Sequence, residues 1–369
     1  MQILQRLYWL SPKTIQIYSR NYAKKPKVAM TNSRRMVHKE LMRYVNPYAC
    51  INIKSDIAVH VEPADVHVYT SGDVLIAQLI GGPVCNSNVS LDLDVHDDDK
   101  VVNVLVKKST EQTSYFTCLL KIPVRADVNL EAEEKVTVQG IQGGVLKIKA
   151  AGDIFTNNVR ATNISLSSEN GNIICEGTLL GKCTEIETQN GNINLDKLQG
   201  DSLKCSTQAG DINTHCCYVE KSKFETTTGS MELKNVHKTS EVFVHQAGDL
   251  KMTGVHGNLN VVSKGGSMNL QLSELSGKSE IVAQNLIDEA IINISEAIEN
   301  INIEVKASQV NLNNELEHVS HALSEDKSKF LLNNENEHQL VVSSTGENGV
   351  RLGKQSWTDM LQQKMKSSE

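Results

Sequence analysis

Aromatic residues and proline are scarce in this sequence. Five Phe, eight Tyr and two Trp make up 4% of the 369 residues, and proline occurs only six times. This composition does not indicate a bulky enzyme core, whereas the many Asn, Ser, Thr and short aliphatic residues favour thin, stacked β-structure. No run of eighteen apolar residues occurs either, so we expect no transmembrane helix.

The body of the chain has no concentration of positive charge. The formal net charge is −7 and no basic stripe interrupts the central sequence, which leaves nucleic-acid binding without electrostatic support. The eight cysteines form no Cys-x-x-Cys pair and no regular framework. Such usage is typical of a reducing compartment and disfavours a secreted, disulfide-stapled domain.

The N-terminus is basic instead. Nine Lys or Arg residues precede the first acidic residue, Glu40, and the apolar residues among the first ten recur at roughly helical spacing. An acid-free, amphipathic start predicts a mitochondrial transit peptide over residues 1–22, because the membrane potential draws positive charge inward. The stretch RNYA, residues 20–23, resembles a matrix processing site with cleavage after Tyr22, followed by a basic linker over residues 23–47. We therefore expect localisation in the mitochondrial matrix, the alternative being a basic tail without an import function.

A glycine recurs with a period of about nineteen residues through the middle of the chain. Each of these glycines is followed by Asp, Asn or Ser, and then by Ile, Leu or Met. The spacings between them are 19, 20, 19, 19, 19 and 18 residues. Seven copies in phase indicate a structural repeat, and the glycines are Gly152, Gly171, Gly191, Gly210, Gly229, Gly248 and Gly266.

The repeat predicts a rung of short strands separated by corners. Side chains two positions apart point the same way from a strand, so the apolar positions of each copy face one side. Gly tolerates positive φ and the short polar residue after it closes a local turn, which makes the pair a corner. A single rung cannot bury its apolar residues alone, whereas rungs stacked at about 4.8 Å can. The predicted fold is all-β: a right-handed parallel β-solenoid (β-helix) of about 19-residue rungs over residues 119–353.

Serial copies of this motif, as in LDKLQGDSLKCSTQAGDI at residues 195–212, resemble the putative-adhesin β-solenoid domain family. The lead-in LLKIPVRADVNLEAEEKVTVQGIQGG, residues 119–144, is similar to the Pro-containing entry strand of that family. The resemblance covers roughly residues 119–300 and implies a β-helical scaffold without an assigned biochemical activity. Combined with the predicted transit peptide, it also extends to the mitochondrial proteins called family with sequence similarity 185.

Two flanking segments do not follow the repeat. Residues 48–118 predict an N-terminal β-sheet module packed on the first rung, in which two alternating strands flank a hairpin tip at His96-Asp97-Asp98-Asp99. Residues 354–369 predict a short C-terminal capping helix and tail, with Ser356 as its N-cap. Such a helix would cover the last rung and protect its edge with one apolar face, formed by Trp357, Met360, Leu361 and Met365.

One column of carboxylates is a candidate for chemistry. Asp153, Asp211 and Asp249 each follow a corner glycine, and the last two lie two rungs apart, which is about 10 Å. Inverting glycosidases hold their carboxyl groups about 6.5–9.5 Å apart, so a carbohydrate-active site is one interpretation. Asn and Ser fill the same column in other rungs, however, and a corner needs a short polar residue. We interpret the column as turn residues.

Two pairs of residues are further candidates. His237 and His256 lie one residue beyond an apolar site in adjacent rungs, so they should stack within about 5 Å and could share a metal ion. No third ligand is evident, because the two preceding rungs carry Gln and Tyr in this column. Cys216 and Cys217 place one thiol outward and one inward, with no identifiable base. We assign no catalytic, cofactor-binding or metal-binding residue and expect no cofactor.

The sequence therefore predicts a non-enzymatic mitochondrial scaffold or binding module with a protein partner of unknown identity. Its flat, elongated faces suit partner proteins or repetitive ligands. Two alternatives stay open, namely a β-helical carbohydrate-active enzyme and an extracellular adhesin-like protein. Rungs of 18–20 residues leave little room for the insertions that build a catalytic cleft, and the basic N-terminus and unpaired cysteines disfavour adhesion. Nucleic acid is not expected as a partner, no membrane span is expected, and no oligomeric state is indicated.

Overall fold

The computed structural model describes residues 36–82, 89–109, 116–295, 300–317, 322–332 and 337–354. The predicted transit peptide, residues 1–22, and the predicted capping helix from Ser356 onwards lie outside these ranges. Within them the chain is all-β, with twenty-six strands and one four-residue helix. None of the described residues forms a helix with the length and apolar character needed to cross a membrane.

The strands fall into three groups along the chain. Those before the glycine repeat are β1 Met36–Tyr44, β2 Cys50–Ser55, β3 Ala58–Pro63, β4 Val74–Gly81, β5 Val89–His96, β6 Val101–Lys108, β7 Thr117–Ile122, β8 Asp127–Ala132 and β9 Val136–Gln139. Those of the repeat are β10 Gln142–Ala150, β11 Ile154–Ser168, β12 Ile173–Thr188, β13 Ile193–Ala209, β14 Ile212–Thr228, β15 Met231–Lys234, β16 Thr239–Ala247, β17 Leu250–Ser263 and β18 Met268–Leu275. The last are β19 Lys278–Gln284, β20 Ala290–Ile294, β21 Asn302–Lys306, β22 Val310–Leu312, then α1 Asn314–Glu317, β23 Ala322–Leu323, β24 Lys329–Leu332, β25 Gln339–Thr345 and β26 Val350–Lys354.

Alternation of inward and outward side chains explains why these segments are strands. In β13, Ile193, Leu195 and Cys205 are at most 2% exposed, while the residues next to them face outward. Adjacent rungs pair in parallel, so Ile193 lies opposite Ile173 of β12 and Ile212 of β14. Burying one aliphatic side chain contributes about 1.5–3 kcal/mol. Each rung therefore depends on its neighbours to cover its apolar residues.

The four strands β11 to β14 form the regular centre of the stack. They are 15 to 17 residues long and bend through corners, so that each contributes to more than one face of its rung. Each pairs in parallel with the next over most of its length. The predicted all-β solenoid with rungs of about nineteen residues is confirmed, whereas its right-handedness stays a prediction.

Strand order at the N-terminal end differs from chain order. Strand β2 pairs in parallel with β6 on one side and with β8 on the other. Strand β3 lies in the same way between β7 and β9. The rung of β2 and β3 is thus inserted between two rungs that follow it in the chain. Strands β2 and β3 of residues 48–118, the predicted N-terminal module packed on the first rung, pair directly with β8 and β9, so strand pairing continues across residue 118.

The C-terminal end repeats this arrangement. Strand β25 pairs in parallel with both β19 and β21, and β26 pairs in parallel with both β20 and β22. The last two described strands are therefore inserted one rung inside the end. Antiparallel strands β24 and β23 complete the outer edge beside β21.

Antiparallel strands also close the N-terminal end. Strand β5 forms the predicted hairpin with β6, and Asp97, Asp98 and Asp99 at its tip have φ of 52°, 51° and 63°. Strand β1 pairs with β4, which pairs with β7. The predicted linker over residues 23–47 is wrong for Met36–Tyr44, which form strand β1. Its basic residues Lys39 and Arg43 lie on an exposed edge strand, a position where charge is common, and Leu41 packs against the core.

Candidate functional site

The polar residue after each corner glycine bonds to the rung that follows it. At six of the seven corners a side-chain oxygen accepts a hydrogen bond of 2.8–3.3 Å from the backbone N–H of the equivalent residue one rung later. The acceptors are Asp153, Asn172, Asn192, Asp211, Ser230 and Asp249. The column thus joins corners to one another along the stack, rather than closing each residue's own turn as the sequence predicted.

These bonds oppose the role of a glycosidase acid for Asp249. Ser267 donates to Asp249 Oδ1 from its hydroxyl at 2.7 Å and from its backbone N–H at 2.9 Å. The bond from the Ser267 hydroxyl lowers the pKa of Asp249 most, and the bond from the Ser267 backbone N–H lowers it further. A glycosidase acid needs the opposite shift, because it must keep its proton near neutral pH. The arrangement supports the interpretation of Asp249 as a structural residue.

The corner glycines are required by close approach of neighbouring rungs. A Cβ at Gly191 would lie 2.0 Å from the carbonyl oxygen of Gly171, and one at Gly210 would lie 2.1 Å from that of Gly191. Neither Gly191 nor Gly210 has a positive φ. At these two corners the lack of a side chain, and not the predicted positive φ, is therefore what selects glycine.

Three rings stack in one outward column. The ring centroids of Tyr218 and His237 are 4.4 Å apart with an interplanar angle of 22°. Those of His237 and His256 are 4.7 Å apart and nearly parallel, at 3°. This spacing matches the separation of neighbouring strands, about 4.7–4.9 Å. The predicted stacking of the two histidines is confirmed, with Tyr218 as a third member.

The next rung adds a carboxylate to this column. Glu274 lies opposite His256 in the parallel register of β17 and β18, and its Oε2 is 3.9 Å from His256 Nδ1. This carboxylate was not predicted from the sequence, because the expected column included only Gln199, Tyr218 and the two histidines. Counting eight residues on from Gly266 reaches Glu274, just as the same count from Gly248 reaches His256.

The surroundings of His237 favour its neutral form. Burial lowers the pKa of the imidazole, and the neighbouring His256 and Lys238 lower it further. A neutral imidazole keeps a free lone pair on one ring nitrogen, which is the form that binds metal ions. Within the described ranges, however, no three His, Cys, Asp or Glu residues are placed so as to hold one ion.

The adjacent cysteines separate as the alternation predicts. Cys217 is fully buried, and burial raises the pKa of its thiol to about 12. Cys216 is half-buried on the outer surface, where Asn235 Nδ2 lies 3.8 Å from its Sγ. With a pKa of about 12, the Cys217 thiol carries almost no thiolate at neutral pH and is inert. Cys217 is therefore a core residue.

A shallow groove crosses successive rungs on another face. Its lining runs from Lys149 of β10 to His245 of β16 and combines carboxylates with the hydroxyls of Ser and Thr. Among the lining residues, Glu225 lies 3.0 Å from Lys223 and 3.6 Å from His245, whereas Glu187 accepts a hydrogen bond of 2.9 Å from Ser167 Oγ. The groove offers charges of both signs and hydroxyl groups along the axis of the stack.

Part of the chain matches a known family. Residues 182–351 match the model of a family described as Toastrack DUF4097. This region is similar to the Toastrack family. The Toastrack-like region extends from within β12 to within β26, and it includes the stacked rings of Tyr218, His237 and His256.

Two solved structures are similar to this chain at low identity. One, a putative adhesin from Parabacteroides distasonis, has 11% identity and a TM-score of 0.42, covering 88% of this chain and 98% of that chain. Another, a putative adhesin from Parabacteroides merdae, has 12% identity and a TM-score of 0.34, covering 87% of this chain and 97% of that chain. These scores are too low to establish a shared fold, so the architecture of the Toastrack-like region rests on its own strand pairing. The resemblance to family with sequence similarity 185 stays a prediction.

Proposed function

We propose that this chain is a non-enzymatic binding module that presents the groove from Lys149 to His245 to a protein partner. The observation that carries the proposal is the course of the groove across consecutive rungs, from β10 to β16. Those rungs are hydrogen-bonded on both sides, so the surface is rigid and a partner meets polar groups already in place. Preorganisation of this kind reduces the entropy cost of binding.

Two charge reversals on the same strand test the groove. Glu187 and Glu176 both belong to β12, but only Glu187 lines the groove. Affinity capture of the tagged full-length protein from cells should enrich one reproducible partner. Glu187→Lys should reduce its recovery at least tenfold, whereas Glu176→Lys should leave it unchanged. Equal recovery with both variants would refute the groove as the binding surface.

Two locations are proposed for this module. The basic, acid-free N-terminus supports import into the mitochondrial matrix, and the resemblance of the repeat motif to the putative-adhesin domain family supports an extracellular, adhesin-like role. Cell fractionation with N-terminal sequencing separates them. A mature protein that starts at Ala23 in the matrix fraction would establish import. An N-glycosylated protein at the cell surface would establish the adhesin-like alternative.

A further inference from the structure

The outward column that contains Glu225 becomes apolar on the next three rungs. In the parallel register, Glu225 of β14 lies opposite Phe243 of β16, which is followed by Val262 of β17 and Val282 of β19. These three side chains, the apolar stripe, are half-buried although they point away from the core. Single apolar residues are common on a protein surface, whereas a contiguous set with a polar rim indicates an interaction surface.

Ionisable side chains of opposite sign flank the apolar stripe. On the acidic flank, two positions earlier along their strands, lie Glu241 of β16 and Glu280 of β19, with Asn260 of β17 between them. On the basic flank, two positions later, lie His245 of β16 and Lys264, which directly follows β17. All four ionisable side chains are exposed. A molecule that covers the stripe therefore meets a carboxylate on one side and a cation on the other.

Three of the flanking charges have no ion-pair partner within the described part of the chain. They are Glu241, Glu280 and Lys264, whereas His245 is 3.6 Å from Glu225. The two flanks are four strand positions apart, which is about 13 Å, so their charges lie too far apart to pair across the stripe. These three charges are available to a second molecule.

A second copy of the chain carries the complementary charges at the matching positions. When two copies face each other across a two-fold axis parallel to the stack, the acidic flank of one lies opposite the basic flank of the other. Lys264 then lies level with Asn260 of the other copy. The carboxylates of Glu241 and Glu280 are one rung away on either side, about 4.8 Å along the stack. An axis perpendicular to the stack would instead place acid against acid, so the charges select the parallel axis.

We propose that this chain forms a homodimer in which the apolar stripes of two copies pack against each other across a two-fold axis parallel to the stack. Each residue of the stripe lies near the axis and meets its own equivalent. Lys223 Nζ lies 5.1 Å from the centre of the Phe243 ring and covers part of it, so Val262 provides the most open contact. Sheet twist separates the two faces away from this centre, which confines the contact to a few rungs. The dimer is therefore weak and depends on concentration.

Disulfide trapping of the full-length protein tests the position of the axis. In Val262→Cys the new thiol lies beside its equivalent in the other copy, so mild oxidation should yield a covalent dimer. Thr253→Cys is the matched control, because Thr253 is also half-buried and outward on β17 but lies outside this face. We expect at least tenfold more covalent dimer from Val262→Cys than from Thr253→Cys or from the wild type, whose own thiols set the background.

Sedimentation over a series of concentrations tests the charge pairs. Lys264→Glu should weaken dimerisation at least tenfold, because it places three carboxylates together. Adding Glu280→Lys to this variant should restore association toward that of the wild type. Glu187→Lys changes the groove three rungs before Phe243 and should leave the dimer unaffected. Loss of the dimer and loss of the groove partner are therefore separate results.

Other outcomes would overturn the proposal. Equal trapping of Val262→Cys and Thr253→Cys would show random collision, and a dimer that survives Lys264→Glu unchanged would have a different interface. A chain that stays monomeric alone, but is cross-linked through Val262→Cys to another protein in cells, would assign the stripe to that protein. Circular dichroism establishes whether each variant is folded. If Val262→Cys is not, Val282→Cys takes its place, with the same trapping expected.

Discussion

Oδ1 of Asp153 accepts a hydrogen bond of 2.8 Å from the backbone N–H of Asn172, which occupies the same corner one rung later. The same bond recurs down the column, so a short side chain with an acceptor serves to hold the following rung. Asp, Asn and Ser all supply that acceptor at the required length. This explains why the three residue types replace one another in the repeat while apolar residues do not enter the column.

Removal of one such side chain should weaken the stack locally. Asn192 accepts a bond of 2.8 Å from the backbone N–H of Asp211, and a hydrogen bond of this kind contributes about 0.5–1.5 kcal/mol. Asn192→Ala should therefore lower the free energy of unfolding by about 1 kcal/mol, as measured by urea denaturation. Asn192→Asp, which keeps the acceptor, should lose less. Lys182→Ala, at an exposed position, is the control, and an equal effect of Asn192→Ala and Lys182→Ala would contradict the prediction.

A methyl group at a corner glycine should destabilise the fold more than the loss of the Asn192 side chain does. In Gly191→Ala the new Cβ would lie 2.0 Å from the carbonyl oxygen of Gly171, a backbone atom that cannot rotate away. Overpacking of this kind costs about 1–3 kcal/mol. Gly82→Ala is the matched control, because its Cβ would meet nothing within 4 Å. Thermal unfolding of the two variants should separate them by several degrees, and similar melting temperatures would show that the rungs can move apart.

The regular part of the fold was predictable because the repeat encodes it. A glycine, a short polar residue and an apolar residue recur in phase. The glycine permits close approach of the rungs, the polar residue bonds to the next rung, and the apolar residue is buried between rungs. The order of the terminal rungs was not predictable. Leu340 lies opposite both Ser279 and Ile303, yet an alternating strand such as QLVVSST can pair with any neighbour of matching alternation. Pairing partners at the ends depend on tertiary contacts that alternation does not specify.

The histidine column also combines features that the sequence predicts with features that it does not. The count of eight residues from each corner glycine places His237 and His256 in one column, and it would have placed Glu274 there too. The count does not give the angle between the rings or the burial of His237. Those depend on side-chain rotamers and on how closely the rungs pack, so the lowered pKa of His237 could be found only from the structure.

The cysteines should differ sharply in reactivity. Burial raises the pKa of Cys118 and Cys175 to about 12, so about one thiol in ten thousand is ionised at pH 8. Cys183 is exposed on the surface. Treatment of the native protein with iodoacetamide at pH 8, followed by peptide mass spectrometry, should find Cys183 alkylated and Cys118 and Cys175 unmodified. All three should react in denaturant, and rapid native labelling of Cys175 would show that the core opens.

Stability should depend on the charge of Asp249 at low pH. Its pKa is lowered in the folded state by the bonds from Ser267, so the ionised form favours folding. This contribution is present above the unfolded pKa of about 3.9 and is lost as the pH falls through the folded value. Asp249→Asn keeps an acceptor but does not titrate. The stability advantage of the wild type over this variant, measured as the free energy of unfolding, should therefore shrink between pH 5 and pH 3. If this advantage stayed constant over that range, the Asp249 carboxylate would be excluded as its source.

The inserted C-terminal rung gives the most direct test of the strand order. A chain truncated after His338 lacks β25 and β26, which bury Leu340, Val342, Val350 and Leu352 with no measurable exposure. At about 1.5–3 kcal/mol for each side chain, the loss is roughly 6–12 kcal/mol. Because β25 lies between β19 and β21, hydrogen exchange should accelerate in both Lys278–Gln284 and Asn302–Lys306. Truncation after Lys354 is the control and should leave both segments protected. If the rungs followed chain order, the first truncation would expose only the outermost strand, and β19 would keep its protection.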